Sequence, residues 1–188
     1  MSDTLIFLPD GEIRGWVIEC HGDLDANESY YIHYSWNGRP VRKWFTEHGY
    51  AFVVPFLDHP SPESASRVMY AHERMAPSFA GMKPLLTAQC YGSYTAFDVL
   101  EASPGVFAGC AMLHPMSSLY VDADHDFGRI TDPVKIWHGD ADVTAPCGYS
   151  MRLPFPSVIV AGGSHLQLTV DRYLADMGEF IESLGGTA

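Results

Sequence analysis

Three short stretches carry side chains suited to covalent chemistry. In Leu85-Leu86-Thr87-Ala88-Gln89-Cys90-Tyr91-Gly92-Ser93 an apolar run passes straight into an amphipathic one, with Cys90 at the joint. Ala88 and Gly92 stand two positions either side. A nucleophile on so tight a strand-to-helix turn needs small neighbours there, because a bulky Cβ would strike the flanking elements. This is a nucleophile-elbow pattern with cysteine in place of serine and alanine in place of the first glycine. A buried cysteine in an ordinary βα turn fits the same residues. In Val134-Lys135-Ile136-Trp137-His138-Gly139-Asp140-Ala141-Asp142-Val143-Thr144-Ala145-Pro146 a strand ends in an acidic turn. A carboxylate there can orient an imidazole, and Asp142 is preferred over Asp140 because it lies deeper in the loop that Pro146 closes. Two solvated acids are the alternative. In Val158-Ile159-Val160-Ala161-Gly162-Gly163-Ser164-His165 a strand runs into a Gly-Gly loop that presents one histidine. His165 is placed like a general base, or else it caps the helix that follows.

These residues need a scaffold that brings them together. Short apolar runs alternate with longer amphipathic stretches, a rhythm that predicts βα units feeding a mostly parallel sheet covered on both faces, so the fold class is α/β. Expected strands are Thr4 to Leu8, Gly15 to Cys20, Tyr50 to Phe56, Pro84 to Gln89, Phe107 to Leu113, Val134 to Trp137 and Ser157 to Val160. Expected helices are Ser29 to His48, interrupted near Asn37 to Pro40, then Ser64 to Phe79, Ser93 to Ala102 and Leu166 to Leu184. In the last, Leu166, Val170, Tyr173, Leu174, Met177 and Phe180-Ile181 recur at three- and four-residue steps, a face that should pack on the sheet. The stretch from His114 to Thr131 has no clear period and reads as a surface excursion bordering a pocket. Cys90, Asp142 and His165 each stand at the C-terminal end of their own expected strand, where open parallel sheets put their sites.

Composition narrows the classes of function. Hydrophobic residues make up 47% of the 188 and charged ones 18%, too apolar a mixture for disorder; residues 1–188 read as one domain. With 11 Lys+Arg against 23 Asp+Glu the net charge is −12, a field that repels nucleic-acid phosphates. No apolar run approaches the roughly 20 residues of a membrane span, and Met1-Ser2-Asp3 lacks the basic start of a signal peptide, so a cytoplasmic location is the default. Cys20, Cys90, Cys110 and Cys147 include no C-x-x-C pair; Cys20 and Cys110 lie in apolar runs and should be core.

The order Cys90, Asp142, His165 across these turns resembles the α/β-hydrolase superfamily, and the cysteine elbow is similar to that of its small dienelactone-hydrolase-like branch. Glu19-Cys20-His21-Gly22-Asp23 is similar to the family's His-Gly turn, and Gly49-Tyr50-Ala51-Phe52-Val53-Val54-Pro55 opens the following strand as the family's does. Ala88 and Ser93 depart from the branch's glycines. The resemblance implies a central sheet of about seven strands with minimal or no cap, and a hydrolase of carboxylic esters, lactones or thioesters without cofactor or metal. Acyl transfer and noncatalytic binding are the alternatives. It implies a Cys90-His165-Asp142 triad, with Cys90 favoured as thiolate by the helix start and the imidazole. It also implies an oxyanion hole from the N–H of Tyr91 and, in the His-Gly turn, of Asp23, the neighbouring register giving Cys20 or His21 instead.

Other residues stay secondary. Glu19 must either face water at the strand end or be partnered, and the surface role is preferred. Ser93 should spend its hydroxyl on the first helical turn. Asp122-x-Asp124-x-Asp126 starts like a calcium loop, yet Phe127 stands where glycine is required. His114 could face the pocket or bond locally. Tyr30, Tyr31, Tyr34, Trp36, Tyr91, Tyr94 and Trp137 could line a pocket, though several must be core.

Overall fold

Strands β2 (Gly15–Cys20) and β3 (Tyr50–Pro55) are buried at every residue, as befits near-continuous apolar runs covered on both faces. The computed structural model describes residues 4–22, 38–58, 61, 63–116, 126–165 and 170–184. With β1 (Thr4–Phe7), β4 (Leu85–Gln89), β5 (Gly109–Leu113), β6 (Val134–Gly139) and β7 (Ser157–Val160) they form one sheet in the order β1-β3-β2-β4-β5-β6-β7. Only β1 runs antiparallel to its neighbour, β3. The chain steps outward from β2 to β3 and then returns to lay β4 on the other side of β2. The strand order therefore reverses between β2 and β4, the place where open α/β sheets put their sites, at the carboxyl ends of the strands. Cys20 and Gln89 are the last residues of these strands, and both are buried.

Side chains alternate across a strand, so each strand feeds two cores. Trp16 and Ile18 join Leu86, Ala88, Phe97, Leu100 and Val68 beneath helices α2 (Glu63–Met75) and α3 (Gly92–Ala102). Val17 faces the other way, onto Val41 and Phe45 of α1 (Gly38–Glu47) and, beyond the short α4 (Cys147–Ser150) in the chain, onto Tyr173, Met177 and Ile181 of α5 (Val170–Ser183). The four-residue spacing of those last three is the helical stripe read in the sequence. Cys20 and Cys110 are core residues, as expected, and burial pushes both thiols far above the ordinary cysteine range.

Where element limits differ from expectation, backbone chemistry explains it. Helix α1 begins at Gly38 with Pro40 in its first turn, where a missing N–H costs nothing; the proposed stretch from Ser29 to Trp36 lies outside the described residues. Helix α2 stops at Met75 and tightens into a 3-10 turn over Ala76–Phe79, because Pro77 cannot continue the α ladder. Strand β5 starts at Gly109 rather than Phe107: the Phe107 N–H donates instead to the buried Asp132 carboxylate, which also takes the Gly105 N–H. Strand β6 runs two residues past Trp137 to Gly139. Helix α5 is tied to β6 by Asp176, which accepts from Trp137 Nε1 at 2.7 Å and pairs with Lys135 at 2.7 Å.

Candidate active site

Cys90 follows β4 directly and adopts φ +50°, a left-handed conformation that costs a non-glycine residue of order 1–3 kcal/mol. The surroundings hold it there. Its N–H donates to Leu113 O at 3.2 Å, and its carbonyl accepts the Ser93 N–H at 3.1 Å and the Ser93 hydroxyl at 2.7 Å. Ser93 thus spends its hydroxyl on the first helical turn. Gly92 is pressed against the end of β2: a Cβ there would overlap the Cys20 carbonyl and lie 2.6 Å from His21 O. The small residue that the elbow requires is small for that reason. The bend leaves Cys90 half-buried at the head of α3.

Two loops meet this turn. His165 Nε2 lies 3.1 Å from Cys90 Sγ, and His165 Nδ1 lies 2.7 Å from Asp142 Oδ2. With the Nδ1 hydrogen donated to the carboxylate, Nε2 is left facing sulfur, able to take a proton from it. Asp142 is buried, and its Oδ1 accepts the backbone N–H of Thr144 at 2.9 Å and of Ala145 at 2.8 Å. Asp140, the rival acid, is exposed and accepts the Gly162 N–H at 2.7 Å. That bond, with Asp140 N–H to Val160 O and Ala141 N–H to Gly163 O, ties the acidic loop to the histidine loop.

Two further histidines surround the pair. His138 sits on β6 with Nε2 3.1 Å from Asp142 Oδ2 and 2.6 Å from Ala145 O, and Nδ1 2.7 Å from Ser150 Oγ. Sequence reasoning passed over it, although a histidine continuing a buried strand is the available signal. His114 is buried at φ +36° and meets the His165 ring edge-on, centroids 4.8 Å apart. Burial, then the charges of His165 and His138, hold its pKa well below the usual histidine range.

The His-Gly turn stands beside the elbow. His21 Nδ1–H donates to Gly22 O at 2.7 Å, while its Nε2 accepts the Leu57 N–H at 2.9 Å, so both ring nitrogens brace the turn. A Cβ on Gly22 would come 3.3 Å from the Cys90 Cβ. Among the described residues no acceptor takes the Tyr91 N–H. Asp23 lies outside the described residues, as do Tyr30, Tyr31, Tyr34, Trp36, Asp122 and Asp124. Asp126 caps a short 3-10 turn by accepting the Gly128 N–H. Glu19 does not face water: it is 2% exposed and accepts from Gln89 Nε2 at 2.8 Å. The strand register encloses it, since Glu19 pairs with Thr87 inside the sheet, short of the strand end. Trp137 is core, and Tyr91 and Tyr94 stack with centroids 6.2 Å apart.

Solved structures of similar shape decide the fold's name. An alpha-beta serine hydrolase homologue from Coxiella burnetii superposes with a TM-score of 0.69 at 16% identity, covering 95% of this chain and 88% of that one. The chain has the α/β-hydrolase fold. Est1E from Butyrivibrio proteoclasticus, in a structure with ferulic acid bound, superposes with a TM-score of 0.74 at 16% identity over 97% of this chain and 95% of its own. XC6422 from Xanthomonas campestris, described as an a/b serine hydrolase without lid, gives 0.72 at 14% identity over 97% and 87%. No family model and no curated protein matches the sequence. Cys90 stands at the turn between β4, the middle strand of the seven, and helix α3. Among the described residues no helix is long and apolar enough to cross a membrane.

Proposed function

We propose that this α/β-hydrolase chain cleaves a carboxylic ester, lactone or thioester with Cys90 as nucleophile, in the manner of the dienelactone-hydrolase-like branch. The observation that carries the reading is the unbroken relay from Cys90 Sγ through His165 to Asp142, with contacts of 3.1 and 2.7 Å. The sulfur attacks the carbonyl carbon as its proton passes to His165 Nε2, and the carbonyl π electrons move onto oxygen. Tyr91 N–H at the head of α3, with Asp23 N–H as the second donor, stabilises that oxyanion. Collapse expels the alcohol or thiol, which takes the proton from Nε2 and leaves an acyl-thioester on Cys90. Water, losing a proton to Nε2, then attacks the thioester; the acid departs and the sulfur is reprotonated. Asp142 holds the imidazole in the useful tautomer throughout. No cofactor enters these steps. We place the protein in the cytoplasm, where free thiols stay reduced.

Hydrolysis of p-nitrophenyl acetate by the wild type, Cys90→Ala and His165→Ala tests the reading. Turnover should drop to background in both variants, and mass spectrometry should find an acetyl group on Cys90 of the wild type. Hydrolysis unchanged in both would overturn the triad. Transfer to an added alcohol outpacing hydrolysis would make the chain an acyltransferase, and no turnover or label across an ester panel would make it a binding domain.

A further inference from the structure

Asp142 offers one oxygen to two histidines. Oδ2 lies 2.7 Å from His165 Nδ1 and 3.1 Å from His138 Nε2, and the side chains of Asp142 and His138 are wholly buried. The His138 ring is held at both nitrogens. Nε2 also faces Ala145 O at 2.6 Å, and Nδ1 faces Ser150 Oγ at 2.7 Å. A carbonyl and a carboxylate can only accept, so the hydrogen is on Nε2, and the Ser150 hydroxyl donates to the bare Nδ1. Burial keeps the ring's pKa below the ordinary histidine value, against the opposing pull of Asp142 and the Ala145 carbonyl, and the ring is neutral at pH 7.

We infer that His138 is a positioning residue that shares Asp142 Oδ2 with His165 and thereby limits the basicity of His165. A lone-pair region given to one donor is not available to the next. Imidazolium formation at His165 is stabilised by the same oxygen, so a second donor on that oxygen weakens the stabilisation. Among the described residues the titratable groups facing His165 are Cys90 just after β4, Asp142 in the acidic loop, His114 just after β5 and His138 on β6. Of these, His138 alone touches both Asp142 Oδ2 and the loop carbonyl of Ala145 that keeps the acid in register. The inference rests on the reading of His165 as the base.

The test is an NMR titration of the histidine rings in the intact protein, carried in Cys90→Ala so that no thiol titrates beside His165. His138 should appear as the Nε2–H tautomer and stay neutral through the His165 transition. In His138→Leu the His165 midpoint should rise by roughly half to one pH unit, and His138→Gln, which keeps an N–H donor, should bring it back. In the Cys90-containing enzyme the acid limb of deacylation should move the same way. A midpoint unmoved in folded His138→Leu, or His138 found as the Nδ1–H tautomer, overturns the inference. Should His138→Leu fail to fold, the wild-type tautomer decides. Normal hydrolysis by His165→Ala would instead overturn the base reading, a result separate from an unmoved midpoint.

Discussion

The backbone of Gly139, at the end of β6, lies against the carbonyl of Gly163 in the loop that carries His165. A methyl group on Gly139 would overlap that carbonyl and stand 2.7 Å from Gly163 Cα, while the Ala141 N–H donates to the same oxygen at 2.9 Å. The acidic loop and the loop that carries His165 are therefore packed backbone to backbone, and the 2.7 Å contact between Asp142 and His165 is set by that packing as much as by the two side chains.

Replacing Gly139 by Ala should force the loops apart. The expected outcome is a stability loss of about 1–3 kcal/mol and at least a tenfold fall in ester hydrolysis. Gly148→Ala is the control, since a Cβ at that helical position meets nothing within 4 Å. Urea melts and esterase assays on both variants would show it; equal behaviour of the two would count against loop-to-loop contact as the organising feature.

His114 makes stability fall on acidification. Its folded pKa is lowered, so between that value and the unfolded value near 6.5 the unfolded chain binds the extra proton. Stability thus rises with pH through this window and is lost below it, at about 1.4 kcal/mol per pH unit for one proton. Asparagine tolerates the left-handed backbone but does not titrate, so His114→Asn should show a shallower slope below pH 6.5. Some slope should persist, because His72 and His138 are shifted in the same direction, each chiefly by burial. Denaturant melts at several pH values between 5 and 7 measure it, and parallel slopes for the two proteins would refute it.

Asp132 acts far from the chemistry, before the N-terminal end of β6, accepting the N–H groups of Gly105 at 2.7 Å and Phe107 at 3.0 Å. Asp132→Ala would leave both amides without that acceptor at a cost of about 2–3 kcal/mol. The melting temperature should drop while kcat/KM of the folded protein stays within about twofold. A comparable loss of kcat/KM at a temperature where the variant is folded would contradict this division.

Much of the scaffold is legible before any coordinate. Val17, Ile18 and Phe52-Val53-Val54 announce buried strands because burial on both faces demands continuous apolar residues. Tyr173, Met177 and Ile181 announce a packed helix because only the helical period puts them on one side. The cysteine turn is legible too, since Gly92 and Ala88 are small where a bend must pass close to its neighbours. Glu19 misleads by the same local logic: an acid near a strand end suggests water, and only the pairing of Glu19 with Thr87 and the reach of Gln89 show it enclosed.

What the sequence by itself determines is which segments become strands and helices and which turns can carry Cys90, Asp142 and His165, because those properties depend on residues a few positions apart. The 3.1 Å between sulfur and imidazole, the oxygen that His138 and His165 share, and the reversal of strand order between β2 and β4 are decided only in tertiary structure. They join residues up to 75 positions apart, and their distances follow from the order in which strands pair and from how closely two glycine-bearing loops can approach.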